Sequence, residues 1–374
     1  MSEWKECTLG DAILLQRGHD LPKSQMIDGI IPVAGSNGII GYHSKATTKA
    51  PGVTIGRSGN LGNAYLYIQD FWAHNTTLYV KDFKGNDQVF IYYLLKNIDF
   101  SQFNVGSAVP TLNRNHIHPI EISIPSYSEQ KAIASVLSSL DDKIDLLHRQ
   151  NKTLEAMAET LFRQWFVEEA DESWERCTLD DCIDLIIDYR GKTPKKLGSD
   201  WSEYGIPAIS AKNIKGGRLI RPETFNYVDG QLYKKWMKDE LRRGDILLTS
   251  EAPLGELYLL NSDRKYVLSQ RLFALRATSE NLVYYLYTLL SSNEGQHLLH
   301  RRASGSTVQG IRQSELRKVE ILLPDTNLLQ KFGAIAKDYF DKIANNSEQI
   351  QTLEKLRDVL LPQLMSGEMR VKYG

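Results

Sequence analysis

Side chains that could perform catalysis are present in this sequence, but none of them completes a known catalytic motif. Gly191-Lys192-Thr193 resembles the end of a phosphate-binding loop, yet that motif requires a glycine where Ile186 stands. The segment His116-Ile117-His118 has no neighbouring cysteine or acidic cluster with which to hold a metal ion. Asp141-Asp142 lies in a long helical pattern, where a solvated carboxylate pair is expected. Nuclease and methyltransferase signatures are also missing, so we expect neither catalytic residues nor a resident cofactor or metal.

One interval in the second half of the chain is rich in basic residues and could bind an anion. Only Asp200 and Glu203 oppose the basic side chains of this interval, which are Arg190, Lys192, Lys195, Lys196, Lys212, Lys215, Arg218 and Arg221. A local anion-binding face is one interpretation, and a solvated lysine-rich surface is the other. The formal net charge of -1 argues against a chain that binds polyanions over its whole surface.

Length and composition are typical of a multidomain globular protein. A chain of 374 residues exceeds what one hydrophobic core organises, and 42% of its residues are apolar while 24% are charged. No apolar run approaches membrane-spanning length, and the N-terminal residues lack the features of a secretion signal. The cysteines, Cys7, Cys177 and Cys182, form no CxxC pair. We therefore expect reduced thiols, a cytoplasmic location and no contact with a membrane.

The element that must organise these residues is a long helix over residues 128–167, which contain neither glycine nor proline. Its apolar positions alternate in steps of four and three, as in the seam of a coiled coil. The seam positions are Ile133, Leu137, Leu140, Ile144, Leu147, Asn151, Leu154, Ala158, Leu161 and Trp165. Such a helix would be about 60 Å long, so it needs a partner alongside it.

An internal repeat supplies that partner. Trp4-Lys5-Glu6-Cys7-Thr8-Leu9 recurs as Trp174-Glu175-Arg176-Cys177-Thr178-Leu179, and Gly106-Ser107-Ala108-Val109 as Gly305-Ser306-Thr307-Val308. The offset is nearly constant late in each repeat, where Thr153-Leu154-Glu155 corresponds to Thr352-Leu353-Glu354. The chain therefore reads as domain, long helix, domain, long helix.

The repeat predicts the fold class and the domain limits. We expect domains at residues 1–127 and 169–326, a central long helix at 128–168, and a C-terminal long helix with a tail at 327–374. Short strands at 53–56, 64–68, 77–80 and 120–124 and helices at 88–96, 233–242 and 279–291 predict α+β domains. Pro362 should kink or end the second helix. Two similar units in one chain close most simply about a pseudo-two-fold axis, which favours an antiparallel pair of helices.

The register of the helix pair can be predicted from its polar residues. The second seam contains Phe332, Ala336, Tyr339, Ile343, Asn346, Ile350, Leu353, Arg357, Leu360 and Leu364. An antiparallel register that places Asn151 against Asn346 satisfies two amides that would otherwise each face an apolar side chain. The same register places Trp165 against Phe332. The alternative is that both asparagines lie off the interface, near solvent.

The repeats and three motifs near the helix ends together resemble the specificity subunit of type I restriction-modification systems. The motifs are Ile122-Ser123-Ile124-Pro125 followed by Glu129-Gln130-Lys131-Ala132-Ile133, then Leu161-Phe162-Arg163-Gln164-Trp165-Phe166, and Leu360-Leu361-Pro362-Gln363-Leu364-Met365-Ser366-Gly367-Glu368. Segments similar to target-recognition domains are residues 56–62 and 71–76 in the first domain and 191–194, 209–214 and 268–271 in the second. The resemblance covers essentially the whole chain.

The resemblance implies a DNA-recognition subunit without catalytic activity. Each domain would read one half of a split target in double-stranded DNA, and the helices would hold the halves at a fixed separation. The two domains align weakly between Asp20 and Leu66, so an asymmetric target is expected. The implied partners are two modification subunits, which methylate adenine, and restriction subunits, which translocate DNA and cleave it. S-adenosylmethionine, ATP and Mg are expected on those partners, and no cofactor on this chain.

The residue types in these segments suit contact with DNA. Arginine pairs best with guanine and asparagine or glutamine with adenine, while lysine and serine contact phosphates. The predicted contacts are Arg57, Ser58, Asn60 and Asn75 in the first domain and Arg190, Lys192, Lys212, Asn213, Gln270, Arg271, Arg301 and Arg302 in the second. For each of them a helix cap or a surface ion pair is the alternative.

Three other interpretations remain open from the sequence, one of which is an enzyme whose catalytic site matches no known motif. A specificity subunit of a fused type II restriction-methylation enzyme would share the DNA role with different partners. A coiled-coil protein that binds other proteins or glycans would instead be an interaction module.

Overall fold

The computed structural model describes residues 4–104, 109–305 and 307–372. Residues 106–108 and 306 of the predicted repeat therefore lie outside the described residues. The chain divides into a first unit, Met1–Leu146 with Gln349–Gly374, and a second unit, Leu147–Glu348. The predicted domain limits follow the helix ends, whereas this division passes through the middle of both long helices. Among the described residues, no helix combines the length and hydrophobicity needed to cross a membrane.

The described residues of the first unit form three small sheets. Its strands are β1 (Lys5–Thr8), β2 (Leu14–Arg17), β3 (Ile31–Gly35), β4 (Gly38–His43), β5 (Gly52–Gly56), β6 (Ala64–Tyr67), β7 (Trp72–Ala73), β8 (Thr77–Asp82) and β9 (Glu121–Ile124). Its short helices are α1 (Leu9–Ala12), α2 (Gln88–Asn97) and α3 (Arg114–Ile117), with 3₁₀ turns at Lys23–Gln25 and Ser101–Phe103. The sheet orders are β2-β8-β5-β6, β4-β3-β7 and β1-β9. Only the β3-β7 pair is parallel among these.

The long helix α4 (Tyr127–Arg163) belongs partly to each unit and ends in a π-helical turn at Gln164–Glu168. The second unit then adds strands β10 (Glu175–Thr178), β11 (Ile183–Ile187), β12 (Ile206–Ile209), β13 (Ile214–Lys215), β14 (Arg218–Leu219), β15 (Asn226–Val228), β16 (Ile246–Ser250), β17 (Leu254–Leu259), β18 (Val267–Leu268), β19 (Leu272–Ala277) and β20 (Glu320–Leu323). Its short helices are α5 (Leu179–Cys182), α6 (Gly230–Trp236), α7 (Glu280–Ser291), α8 (Asn293–Arg301) and α9 (Gln313–Leu316), with 3₁₀ turns at Lys195–Leu197, Ala211–Asn213 and Pro222–Thr224. The second long helix is α10 (Thr326–Met365).

Strand connections show the repeat more clearly than the sequence does. The second unit has sheets β11-β19-β16-β17, β15-β12-β18 and β10-β20, which match those of the first unit strand for strand. The β12-β18 pair is parallel like β3-β7. The β13-β14 hairpin is a feature of the second unit alone among the described strands. The predicted α+β class with an internal repeat is thus confirmed.

Each unit begins with the same locally encoded turn. Thr8 Oγ1 donates to Asp11 Oδ2 at 2.6 Å and accepts from the Asp11 N–H at 3.1 Å, which caps α1. Thr178 and Asp181 form the equivalent capping box, with 2.7 Å between Thr178 Oγ1 and Asp181 Oδ2. The hydrogen bonds from Thr8 lower the pKa of Asp11, because they stabilise the carboxylate. This turn explains why a threonine follows the cysteine in both copies of the first repeated motif, with an aspartate three residues after the threonine.

The long helices run antiparallel within each unit. In the second unit, Asn346 Nδ2 donates to Asn151 Oδ1 at 2.8 Å, and the rings of Trp165 and Phe332 lie 6.4 Å apart. In the first unit, Ile133 and Leu137 of α4 share a core with Leu361 and Leu364 of α10. A second core in the second unit includes Phe162, Phe166, Tyr285 and Phe332.

Three local features differ from the sequence-based expectations. Helix α10 continues through Pro362 to Met365, although the proline has no N–H to donate to the carbonyl of Asp358. Helix α6 ends at Trp236, earlier than predicted. Asp141 is not simply solvated, because it accepts from the Tyr93 hydroxyl at 2.7 Å and from Arg357 Nη1 at 2.8 Å.

Candidate nucleic-acid interface

Three chain segments meet at the end of β5 in the first unit. The Arg57 N–H donates to the Thr76 carbonyl at 2.8 Å, and the Leu112 N–H donates to the Arg57 carbonyl at 2.8 Å. Ser58 forms a β-bridge with Thr111. We call residues 57–58, 74–76 and 110–112 the first strand-end cluster. It gathers three loops on one rigid sheet, a common way to present binding residues.

The second unit contains an equivalent cluster at the end of β16. The Ser250 N–H donates to the Arg271 carbonyl at 2.8 Å, and the Ile311 N–H donates to the Ser250 carbonyl at 2.9 Å. Glu251 forms the β-bridge with Gly310 that corresponds to Ser58 with Thr111. Residues 250–251, 269–271 and 309–311 are the second strand-end cluster.

The strand registers establish which residues correspond between the clusters. Gly56 pairs with Thr77 in the first unit, as Thr249 pairs with Leu272 in the second. Counting back two residues from Thr77 and from Leu272 brings Asn75 and Gln270 to the same position. The two clusters therefore present a carboxamide side chain at one equivalent site.

The first cluster holds its polar side chains through short contacts. Arg57 is half-buried, and its Nη1 donates to the Asn75 carbonyl at 3.3 Å. Asn75 Nδ2 donates to Asp20 Oδ1, and Asp20 also pairs with Arg17 at 3.0 Å. Two causes lower the pKa of Arg57: burial is the larger, and the nearby positive charge of Arg17 is the smaller. The cluster thus combines guanidinium and amide groups with one orienting carboxylate.

The loop after β5 is a tight turn in which the backbone of residues 60–62 returns to Gly56. The Gly62 N–H donates to the Gly56 carbonyl at 2.8 Å, and a Cβ on Gly56 would lie 1.9 Å from the Asn60 oxygen. Gly59 has φ +86° and open space around it. Asn60 is exposed at the tip, while Ser58 is half-buried at the base. Only glycine at position 56 permits this tight turn.

In the second cluster Gln270 and Arg271 face outward. Gln270 is exposed, and its carbonyl accepts from the Ala211 N–H at 3.3 Å, which places Lys212 beside it. Lys212 is exposed. Arg271 adopts φ 64°, and its Nε lies 3.3 Å from Glu251 Oε1. An exposed Arg-Glu pair of this kind is weak and can be exchanged for another anion.

Asn213 requires a correction. Its side chain is 0% exposed, accepts from the Ser210 N–H at 3.1 Å and donates to Thr224 Oγ1 at 3.0 Å. The amide closes the 3₁₀ turn after β12 and is not accessible to a DNA base. Asn213, which the sequence suggested as a DNA contact, is therefore a buried cap of this turn.

Arg190 and Lys192 are held by their own unit. Arg190 forms a two-contact ion pair with Asp188, at 2.8 and 2.7 Å, and lies 4.1 Å from the centroid of the Phe273 ring. Lys192 Nζ donates to the Trp236 carbonyl at 2.8 Å, and burial lowers its pKa. Acidic residues outside the basic interval, such as Asp188, therefore offset part of its charge.

Arg301 and Arg302 line a cleft of about 620 Å³ that also includes Ser304 and Glu315. Arg302 lies 3.7 Å from Glu315. The Ser304 N–H donates to the Gly310 carbonyl at 2.9 Å, so this cleft adjoins the second strand-end cluster.

Sequence reasoning missed the third segment of each cluster and the acidic residues Asp20 and Glu251. Residues 110–112 and 309–311 follow directly on the repeated Gly-Ser motifs, which were the available signal. The acidic partners left no local pattern because Asp20 is 55 residues from Asn75 in sequence and Glu251 follows β16, whereas its partner Arg271 precedes β19.

Comparisons with known proteins agree on one family. A family model described as a type I restriction modification DNA specificity domain matches residues 1–156 and 171–355. The type I restriction enzyme MjaIX specificity subunit of Methanocaldococcus jannaschii is 30% identical over 307 residues, covering 76% of this chain and 69% of that protein. The HindI specificity subunit of Haemophilus influenzae is 23% identical over 334 residues, covering 70% and 71%.

The fold is also that of a solved structure. The S subunit of a type I restriction-modification system from M. genitalium superposes with a TM-score of 0.68 at 18% identity, over 97% of this chain and 96% of that one. The match extends over both repeats and both long helices.

Proposed function

Because the chain belongs to the type I restriction-modification DNA specificity family, we propose that it reads a bipartite, asymmetric DNA target with one strand-end cluster for each half. The family supplies sequence recognition and is non-catalytic, so chemistry belongs to other subunits. The observation that carries the proposal is the equivalence of Asn75 and Gln270. Each places a carboxamide, the preferred partner of adenine, at the same position of its unit.

The surroundings of the two amides support different half-sites. Asn75 is flanked by Arg57 and oriented by Asp20, which accepts from one N–H of the Asn75 amide and leaves the other without a partner among the described residues. Gln270 is flanked by Lys212 and Arg271. Different neighbours around one shared amide position are what an asymmetric target requires.

The test replaces each amide separately. Asn75→Ala and Gln270→Ala should each relax one base position in only one half-site, because a bidentate contact to a base contributes about 1–3 kcal/mol of discrimination. Selection of bound duplexes from a random pool, in complex with the modification subunit, would measure the preference. Asn293→Ala, an exposed amide at the start of α8, is the matched control. Loss of affinity without any change in base preference would contradict base reading.

We also propose that the paired long helices set the spacing between the half-sites. Inserting one heptad into both helices adds about 10 Å of helix, close to three base pairs at roughly 3.4 Å each. The recognised target should gain unspecified central bases and keep both half-sites, which methylation mapping would reveal. An unchanged spacing would contradict this role.

The proposed assembly contains two modification subunits and further restriction subunits on double-stranded DNA in the cytoplasm. S-adenosylmethionine, ATP and Mg would be bound by those partners. The internal repeat supports two modification subunits, since equivalent halves offer equivalent docking surfaces. Native mass spectrometry should find two modification subunits for each copy of this chain, and a complex with one would contradict the stoichiometry.

A further inference from the structure

Two of the three cysteines of the chain meet in the second unit. Cys177 lies in β10 and Cys182 is the last residue of α5, and their Sγ atoms are 3.7 Å apart. Both are free thiols. The capping box of Thr178 and Asp181 forms the turn between them, so the contact is held by hydrogen bonds that involve neither sulfur. The DNA role proposed above does not use this pair.

The first unit has the same turn but only one of the two thiols. Cys7 lies in β1, before the capping box that begins α1, and Ala12 stands where the second unit has Cys182. Cys7 and Cys177 are both half-buried, while Ala12 and Cys182 are each 1% exposed. The repeat therefore provides an internal comparison between a half-buried thiol that has a sulfur neighbour and one that has a methyl group in that place.

The two thiols of the pair differ in access and in acidity. Cys177 is half-buried, whereas Cys182 belongs to the buried core that includes Phe166 and Tyr285. Burial raises the pKa of both thiols, that of Cys182 to about 12, and the hydrogen bond between them lowers the pKa of Cys177 while it raises that of Cys182. Cys177 is therefore the thiol that an oxidant from solvent reaches, and it forms the nucleophilic thiolate more easily than Cys182 does.

Two adjacent sulfurs can serve a metal ion or a disulfide bond, and their surroundings favour the disulfide. A structural zinc site requires four ligands, and within the described ranges no group of three or more His, Cys, Asp or Glu is arranged to hold a metal ion. The sulfurs of a disulfide are about 2.0 Å apart. Rotation of each cysteine side chain about its Cα–Cβ bond can change their present separation, because it moves Sγ without moving the backbone.

We propose that Cys177 and Cys182 form a reversible oxidation site for hydrogen peroxide. The Cys177 thiolate attacks one peroxide oxygen, so that an S–O bond forms, the O–O bond breaks, and the departing hydroxide takes the thiol proton and leaves as water. Cys177 is now a sulfenic acid, oxidised by two electrons. The Cys182 sulfur then attacks the Cys177 sulfur, the S–O bond breaks, and the hydroxyl leaves with the Cys182 proton as a second water. Two thiols and one peroxide thus give one disulfide and two waters.

The role of Cys182 is to stop the oxidation of Cys177 at a reversible stage. A sulfenic acid condenses with a neighbouring thiol to a disulfide, which thiol reductants reverse, whereas further peroxide converts it to an irreversible sulfinic acid. Cys7 has Ala12 in place of the neighbouring thiol, so its oxidation is expected to take the second course. The proposal does not rest on the DNA-recognition role.

Peptide mass mapping of the full chain after treatment with hydrogen peroxide tests the proposal. Trypsin releases both cysteines of the pair on the peptide of residues 177–190 and Cys7 on the peptide of residues 6–17, and neither peptide contains a methionine whose oxidation would shift the mass. The 177–190 peptide should lose the mass of two hydrogen atoms and regain it with dithiothreitol. A peptide that retains both thiols at the peroxide concentration that oxidises the urea-unfolded chain, or that carries a sulfinic acid, would overturn the proposal.

Two reciprocal substitutions exchange the arrangements of the two units. Cys182→Ala introduces the residue of the first unit and should abolish the disulfide, so that Cys177 advances to a sulfinic acid under the same peroxide. Ala12→Cys introduces the residue of the second unit and should give the 6–17 peptide an internal disulfide to Cys7. A Cys177 that still stops at a reversible stage in Cys182→Ala, or an Ala12→Cys chain without the internal disulfide, would overturn the proposal.

Discussion

Replacing Asn151 with leucine should destabilise the helix pair of the second unit, because Asn346 would lose its buried partner. The two side chains are 2% and 0% exposed. Asn346 Nδ2 donates to Asn151 Oδ1 at 2.8 Å and lies 3.4 Å from Gln150 Oε1. Asparagine and leucine have similar shapes, so the main change is the loss of hydrogen bonding. We propose that this pair fixes the helix register.

The expected magnitude follows from the unpaired amide. Loss of a short hydrogen bond from a buried amide costs about 1–3 kcal/mol, so Asn151→Leu and Asn346→Leu should each lose that much. The contacts that remain, from Asn346 Nδ2 to Gln150 Oε1 and from Asn151 Nδ2 to Ser347 Oγ, are both 3.4 Å long and replace it poorly. The double variant removes both polar groups and should be close to the original stability or above it. The coupling between the two sites in a double-mutant cycle should therefore have a magnitude of about 2–6 kcal/mol, which is the sum of the two single losses.

Hydrogen exchange of the backbone amides around residues 147–155 and 342–350 is the appropriate assay. A chain with two units need not unfold in one step, so global unfolding would mix their contributions. Exchange in each single variant should accelerate by about 5- to 150-fold. Asn345→Leu, an exposed neighbour on the same helix, should exchange at the original rate.

Two outcomes would refute this reasoning. The first is a double variant whose loss equals the sum of the single losses, which would show that the amides do not depend on each other. The second concerns register: cysteines at positions 151 and 346 should cross-link under mild oxidation. Cross-linking of position 151 to position 339 instead would place the helices one heptad away.

Three further perturbations should act on single, identified contacts. Gly56→Ala should lose about 1–3 kcal/mol and weaken reading of the first half-site, because its Cβ would meet the Asn60 oxygen at 1.9 Å; calorimetry and duplex binding measure this. Asp245→Ala should cost about 3–5 kcal/mol, measured by hydrogen exchange of the backbone amides of β16 and β19, since Asp245 is 1% exposed and pairs with Arg276 at 2.8 Å. Burial lowers the pKa of His118 below its ordinary 6.5. The unfolded chain therefore binds a proton at His118 more readily than the folded chain does. The stability that neutral His118 contributes is present above pH 6.5, and the melting temperature should fall as the pH drops below 6.5.

Matched variants separate these effects from general disturbance. Gly230→Ala has nothing within 4 Å of the added Cβ and should be neutral. Lys318→Ala removes an exposed ion pair and should cost far less than Asp245→Ala. His118→Gln should flatten the fall in melting temperature at low pH relative to the unchanged chain. Equal behaviour of any variant and its control would contradict the corresponding mechanism.

The long helices were predictable because their pattern is continuous and local. Residues 128–167 contain no glycine or proline, and the seam spacing alone indicates a coiled coil. Several strands were found within one or two residues of their true limits for the same reason. Sheet order was not predictable, since β1 pairs with β9 through contacts such as Lys5 with Ile124, which are distant in sequence.

The residue types of the candidate interface could be predicted from the sequence, but the burial and hydrogen-bond partners of those residues could not. Asn75 and Gln270 were identified singly, and only the strand registers revealed that they are equivalent. Asn213 and Lys192 have the same polar character, yet the fold uses one as a buried cap and the other as a donor to Trp236. Sequence cannot separate these cases because the deciding partners are brought together by tertiary structure.

The division of the chain into units has a consequence for its synthesis. The second unit is one continuous segment, Leu147–Glu348, whereas the first is completed only by Gln349–Gly374. Ile133 and Leu137 share their core with Leu361 and Leu364, which leave the ribosome about two hundred residues later. At about 5–20 residues per second, that apolar face stays uncovered for roughly 10–40 s. The part of the protein made first is therefore the last to finish folding.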